Sequence, residues 1–150
     1  MVRRGSVASV IATSRWGQAA LAGILFVALD LVWLTLASGL YDRLLGDLLA
    51  ADPRPLAAAA FYALFVVGLT HFVIHPAVAE DAPSRAAANG AFFGLVAYAT
   101  WDLTNLAVIE GFPLALVPID LAWGTVLASA VSTGTVLACR LLSRRGHARP

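Results

Sequence analysis

Four long apolar segments account for most of the chain, and short polar stretches separate them. Each segment reaches the roughly 20 residues that an α-helix needs to cross about 30 Å of hydrocarbon. Helices are predicted rather than strands, because a backbone within the bilayer must satisfy its own hydrogen bonds. The predicted fold is therefore all-α, a four-helix antiparallel transmembrane bundle. Its spans cover about Gln18–Gly39, Leu56–Ala79, Ala86–Ile109 and Leu114–Leu142.

The first connection, Leu40–Pro55, is the only long one. Leucines recur within it at helical spacing and charged residues lie between them. This pattern predicts a short amphipathic helix on the outer surface of the membrane. The other connections are tight, since Pro83 breaks the second and Glu110-Gly111-Phe112-Pro113 forms the third. Spans three and four are thus expected to be antiparallel neighbours.

The placement of arginine predicts the orientation. The N-terminal lead, the second connection and the C-terminal end carry eight of the ten arginines, and the first connection carries the other two. By the positive-inside rule both termini are cytoplasmic, and the chain is expected in the cytoplasmic (inner) membrane. Residues 1–17 would form a cytoplasmic extension or an interfacial helix, residues 18–142 the membrane domain, and residues 143–150 a basic cytoplasmic tail.

Every span carries a polar side chain at a similar depth. At 1.5 Å per residue, one such residue in each span lies about 9–14 Å below the predicted outer surface. Ionisable groups at this depth are costly, so they normally face protein or water and often mark a site. These four residues are Asp30, Tyr62, Asp102 and Asp120. The sequence predicts an outer-half binding pocket formed by Asp30, Trp33, Tyr62, Tyr98, Trp101, Asp102, Asn105, Asp120 and Trp123.

The third span places its acid among small residues. Gly90, Gly94, Tyr98, Asp102 and Asn105 recur at spacings of four and then three residues and form one stripe. Gly90 and Gly94 make a small-xxx-small pattern, which lets a neighbouring helix approach closely. The acid is therefore expected to point into the bundle and not toward lipid.

The buried acids admit two interpretations. Three carboxylates in one layer of low dielectric cannot all be ionised cheaply, so at least one is expected to carry a proton, which favours a proton-bearing or cation-accepting pocket. Alternatively, the acids accept hydrogen bonds from Trp, Thr, Asn and Tyr in a network that only joins the helices. Trp33, Trp101 and Trp123 would line a pocket for a lipid-like or prenyl-like ligand in the first case and fill space in the second.

Composition confirms the class of protein and excludes several functions. The 150 residues are 60% hydrophobic and 13% charged, with a mean hydropathy of +0.82. Soluble domains are about half apolar and about a quarter charged. A net charge of +1 argues against a nucleic-acid partner. The single cysteine, Cys139, excludes an internal disulfide and a multi-cysteine metal site.

Metal and cofactor chemistry finds little support in the sequence. His71 and His75 share a helix face at a spacing that can hold a metal, but no clear third ligand accompanies them. There is no glycine-rich phosphate loop and no plausible Ser-His-Asp set. We therefore predict no metal site and no cofactor.

Several motifs together resemble a bacterial family of small four-span membrane proteins, the domain of unknown function numbered 2177. The resemblance covers about residues 18–142. It implies the fold and the membrane location but no catalytic residues. Members are often encoded near lipid-modifying enzymes, which favours a lipid-linked role. The motifs are Asp30-Leu-Val-Trp33, Tyr41, Phe61-Tyr62, Tyr98-Ala-Thr-Trp-Asp-Leu-Thr-Asn105 and Asp120-Leu-Ala-Trp-Gly-Thr125.

Three functions are considered. The first is a binding or accessory membrane protein whose pocket holds a lipid-like molecule or a partner helix. The second is a small proton-coupled transporter in which Asp102 and Asp120 carry the proton. The third, a membrane-embedded lipid-modifying enzyme, is the least supported, because an acid stands there without an evident base, nucleophile or cofactor. The expected partners are membrane lipids and either a second copy of the chain or another membrane protein.

Overall fold

The described part of the chain is helical and contains no strands. A computed structural model describes Ala12 and residues 14–50 and 52–147, except the side chains of residues 47 and 145–147. Four helical segments are long and apolar enough to cross a membrane. The predicted all-α bundle of four spans is thus confirmed. The elements are α1 (Arg15–Leu45), a 3-10 turn (Gly46–Leu48), α2 (Pro55–Leu69), a π-helical stretch (Thr70–Ile74), α3 (His75–Ala79), α4 (Pro83–Val108) and α5 (Leu116–His147).

Helix α1 has a clear beginning and end. The Ser14 side chain accepts a hydrogen bond from the Gly17 N–H at 3.0 Å, which caps the first turn. The helix continues past Gly39, because one glycine weakens a helix interior by only about 1 kcal/mol. It ends at Gly46, whose φ of +48° suits glycine. The segment expected to form an amphipathic surface helix therefore supplies the last turns of α1 and the 3-10 turn and is not a separate α-helix.

The second span changes its winding midway. Pro76 has no N–H to donate, and its ring would crowd the carbonyl one turn earlier in a regular α-helix. The residues just before it adopt a π-helical stretch, in which the His75 N–H reaches the Thr70 carbonyl. The wider turn accommodates the proline while α2, the π-helical stretch and α3 remain one span, Pro55–Ala79.

Helices α4 and α5 approach each other closely through glycine. A Cβ atom added at Gly94 would lie 2.0 Å from the carbonyl oxygen of Gly124, and one added at Gly90 would lie 2.7 Å from that of Ala128. Only hydrogen fits at these positions. The predicted small-xxx-small contact is confirmed, and α4 and α5 form the most extensive helix pair in the bundle.

Helix α5 is central to the packing. It contacts α1, α3, α4 and the π-helical stretch, and the hydrophobic core gathers around Phe26, Leu69 and Leu127. Helices α1 and α4 both pack on α5 but scarcely on each other. A gap therefore separates α1 from α4 toward the end of the bundle that holds the α4–α5 turn.

Candidate functional site

A cavity of about 730 Å³ lies among α1, α2, α4 and α5. Its wall is mostly aromatic and apolar, yet it includes two carboxylates. Among the lining side chains there is no lysine, arginine or histidine. The lining residues are Asp30, Trp33, Leu34 and Tyr41 of α1, Phe61 of α2, Ala97, Tyr98, Thr100, Trp101, Thr104 and Asn105 of α4, and Asp120 and Trp123 of α5.

Asp30 joins three of the spans. Its side chain is buried, and both of its oxygens have partners. The Tyr62 hydroxyl donates to Oδ2 at 2.6 Å, and Trp123 Nε1 donates to Oδ1 at 3.3 Å. Buried polar groups are costly unless they are hydrogen-bonded, so these contacts stabilise both the acid and the packing of α1 on α2 and α5.

Asp120 of α5 is connected to α1 through two consecutive hydrogen bonds. The Tyr41 hydroxyl donates to Asp120 Oδ1 at 2.5 Å, and Trp33 Nε1 donates to the same Tyr41 oxygen at 3.1 Å. Asp120 is also buried. Within the described part of the chain, no donor reaches its Oδ2 atom. One oxygen therefore belongs to the fold, and the other is available to a molecule in the cavity.

Trp33 and Trp123 bring these two sets of contacts together. Their rings stack with centroids 4.5 Å apart and planes 9° from parallel. Such pairs contribute about 0.5–1.5 kcal/mol beyond the area they bury. We call the resulting cluster the acid–aromatic network; it consists of Asp30, Trp33, Tyr41, Tyr62, Asp120 and Trp123.

The α4 wall of the cavity is more exposed than the α1 and α5 walls. Trp101 is 64% exposed, although it lies within a candidate membrane span. The hydroxyls of Thr100 and Thr104 donate to the backbone carbonyls of Val96 and Thr100 and are therefore already satisfied. The α4 side thus presents an aromatic ring and satisfied hydroxyls at the mouth of the gap.

Asp102 occupies a different position from the other two acids. It is fully buried and does not line the cavity. It continues the stripe of Gly90, Gly94 and Tyr98 that packs on α5. Neither of its oxygens has a hydrogen-bond partner among the described residues, and the same is true of Asn105 Nδ2 one turn further on. An unpaired buried polar group costs about 1–3 kcal/mol, and more when it is charged.

The structure brings together most, but not all, of the predicted pocket. Seven of the nine predicted residues line the cavity: Asp30, Trp33, Tyr98, Trp101, Asn105, Asp120 and Trp123. Tyr62 supports Asp30 without lining the cavity. All three acids are buried, so the prediction that they face the bundle interior is confirmed. Asp102, however, faces packed protein, because the close approach of α4 to α5 encloses it.

Tyr41 is the main residue that the pocket prediction missed. The sequence placed it beyond the end of the first span, whereas α1 continues through it. A signal existed, because Tyr41 lies at helical spacing from Asp30, Trp33 and Ala37 and so shares their face. The remaining lining residues outside the prediction are Leu34, Phe61, Ala97, Thr100 and Thr104.

The histidines lie away from this cavity. His75 Nδ1 is 2.9 Å from Gln18 Oε1, and Gln18 Nε2 donates to the Ala12 carbonyl at 3.0 Å. His71 is exposed, and its ring lies perpendicular to that of Phe72 with the centroids 4.7 Å apart. Across the described residues, no group of three or more His, Cys, Asp and Glu side chains is placed to hold a metal ion. His75 contributes to the junction of α1 with α3, and His71 does not.

Comparison with known proteins identifies a family that covers most of the chain. Residues 17–137 match a family described as predicted membrane protein (DUF2177). No curated protein and no solved structure matches the chain.

Proposed function

Because this chain belongs to the DUF2177 family of predicted membrane proteins, we propose that it is a multi-pass binding protein whose cavity holds a lipid-like molecule. The cavity is the observation that carries the proposal. Ligand sites are typically concave, largely apolar and furnished with a few convergent polar groups, and their volumes run from about 300 to 1,000 Å³. The cavity of about 730 Å³ has these properties.

The distribution of polarity suits an amphiphile. The mouth of the gap is lined by large apolar side chains that are exposed within the spans, namely Leu34, Phe61 and Trp101. The acids Asp30 and Asp120 are buried and lie on its wall. An amphiphile would place its apolar part along the mouth and its polar group near the acids. Since the mouth lies within candidate membrane spans, such a molecule would enter sideways from the bilayer.

A cavity-filling substitution tests this proposal. Ala97 lines the cavity, whereas Ala107, on the same helix, is exposed and does not. Purified Ala97→Phe and Ala107→Phe proteins would be compared by native mass spectrometry for bound lipid. Ala97→Phe is expected to lose a lipid that the wild type and Ala107→Phe retain. Lipid occupancy equal in all three proteins would overturn the proposal, as would loss of a bound protein instead of a lipid, which would assign the gap to a partner helix.

A small proton-coupled transporter is the second candidate, and Asp102 is the observation that favours it. This acid is fully buried without a partner, and it lies on α4 one turn from the cavity residues Tyr98 and Asn105. Carboxyl groups of this kind mark proton pathways in membrane proteins. In proteoliposomes, transport driven by a pH gradient should be abolished in Asp102→Asn. Transport that does not depend on the pH gradient would rule out the transporter.

The proposed location is the cytoplasmic membrane with both termini inside. The charged residues fall into two groups, one at each end of the bundle. At one end Arg140 of α5 pairs with Asp81 at 2.8 Å, and Gln18 near the start of α1 contacts His75. That end therefore collects Arg15, Arg85, Arg140 and Arg144, and the opposite end has Arg43 and Arg54. By the positive-inside rule the first end faces the cytoplasm. The cavity then belongs to the outer half of the membrane.

A further inference from the structure

From the chemistry of the cavity wall, we infer that the bound amphiphile carries a cationic, ammonium-type group. This inference rests on the proposed function and specifies its ligand class. Two buried carboxylates, Asp30 and Asp120, line the cavity, and no basic side chain lines it to balance them. A cationic ligand would supply the missing charge.

The donors of the acid–aromatic network are already in use. Trp123 and Tyr62 donate to Asp30, Tyr41 donates to Asp120, and Trp33 donates to Tyr41. The α1 and α5 walls therefore offer a molecule in the cavity carboxylate oxygen and aromatic faces but no spare donors from this network. An anionic group would meet neither a positive charge nor a free donor there. An ammonium group would meet both negative charge and ring faces.

The aromatic lining strengthens this selection. Six rings line the cavity, from Trp33, Tyr41, Phe61, Tyr98, Trp101 and Trp123. Cations are attracted to the faces of such rings, most strongly to tryptophan, and aromatic cages recognise quaternary ammonium groups. Trp33 and Trp123 cover one face of each other, so each has one further face, and Trp101 is stacked on no described ring. Free donors without described partners remain only on α4, at Tyr98, Trp101 and Asn105.

A matched pair of small probe molecules, one cationic and one uncharged, tests the inference. Octyltrimethylammonium and its uncharged carbon isostere, 2,2-dimethyldecane, have the same shape and differ in charge. Binding to the full chain in lipid nanodiscs would be followed by tryptophan fluorescence, with partitioning into the lipid subtracted from empty nanodiscs. The cation is expected to bind about tenfold or more tightly than the isostere, a difference of about 1.4 kcal/mol, because the faces of the tryptophan rings attract a desolvated cation.

Two variants and one control assign the effect to the cavity. Asp120→Asn removes the charge while keeping an oxygen for Tyr41, and should abolish most of the preference for the cation. Trp101→Leu replaces an exposed ring that has no described hydrogen bond, so this variant should fold normally. It should weaken binding of the cation more than binding of the isostere. Asp52→Asn removes an equal charge from an exposed position in the α1–α2 connection and should bind like the wild type.

The outcomes separate the two proposals. Two results would overturn the proposal of a cationic ligand: equal binding of the two probes, or an unchanged preference for the cation in both Asp120→Asn and Trp101→Leu. Neither result would contradict the proposal of a lipid-like ligand. Binding of neither probe, together with unchanged lipid occupancy in Ala97→Phe, would overturn both.

Discussion

Trp33 of α1 and Trp123 of α5 stack with their ring centroids 4.5 Å apart and their planes 9° from parallel. Each ring also uses its N–H within the acid–aromatic network, Trp123 on Asp30 and Trp33 on Tyr41. The same pair therefore holds α1 against α5 and sets the position of both cavity acids. Packing and the candidate site depend on one set of side chains.

The hydrogen bonds of the Tyr41 hydroxyl can be tested by a single substitution. Tyr41→Phe leaves the Trp33 N–H and one oxygen of Asp120 without their partner, and is expected to lower the free energy of unfolding by about 1–3 kcal/mol. Thermal unfolding in detergent would measure the change. Tyr98→Phe serves as the control, because the Tyr98 hydroxyl has no partner among the described residues. Similar losses in the two variants would contradict the assigned role of Tyr41.

The two acids Asp30 and Asp102 should respond oppositely to the same substitution. Asp30→Asn places an amide opposite two donors and should destabilise the protein by about 1–3 kcal/mol. Asp102→Asn breaks no described hydrogen bond and removes a potential charge from a fully buried position, so that variant should be at least as stable as the wild type. Chemical or thermal unfolding checks both. A larger loss in Asp102→Asn would mean that its carboxyl has a partner outside the described contacts.

The glycine contact between α4 and α5 makes a steric prediction. In Gly94→Ala the new methyl group would collide with the Gly124 backbone, so the helices must separate. We expect the free energy of unfolding to fall by about 2 kcal/mol or more, because overpacking typically costs about 1–3 kcal/mol and a backbone carbonyl cannot move aside as a side chain can. Gly39→Ala adds the same methyl in α1 where nothing lies within 4 Å, and should be neutral or slightly stabilising. Equal tolerance of both changes, measured by unfolding or by yield of folded protein, would contradict the close packing.

The proposed orientation predicts which turns are labelled from outside. With the buried Cys139 replaced by alanine, single cysteines would be introduced at Glu110 in the α4–α5 turn and at Ser84 at the start of α4. A membrane-impermeant maleimide added to intact cells should label Glu110→Cys and not Ser84→Cys. Permeabilised cells should label both. The reverse pattern in intact cells would place the cavity in the inner half.

Much of the fold could be predicted from the chain because local patterns determine it. Four apolar segments of sufficient length can only be helices in a bilayer, and the spacing of Gly90 and Gly94 marks the face on which α4 meets α5. The change of winding before Pro76 was not predicted, because a proline within a span can be accommodated by a kink, a π-helical stretch or a helix end. Tertiary packing chooses among these.

The candidate site was less predictable for the same reason. Depth in the membrane and position on the helix face identified Asp30 and Asp120 as site residues, because both properties depend on helix geometry alone. Asp102 has the same depth, and its stripe was correctly expected to face the bundle. The sequence could not show how closely Gly94 approaches Gly124, and that close approach encloses Asp102 in packed protein instead of leaving it on the cavity wall. Tyr41 could be predicted as a cavity residue only if α1 was known to continue beyond Gly39. The cavity itself arises because α1 and α4 both pack on α5 and leave a gap between them.

The most direct measurement is an experimental structure of the protein in native-like lipid, at a resolution that shows the space between α1 and α4. We expect an open gap containing elongated density, with its apolar part beside Leu34 and Trp101 and its polar end near Asp30 and Asp120. A closed gap, with α1 packed directly on α4 and no density between them, would contradict the binding site.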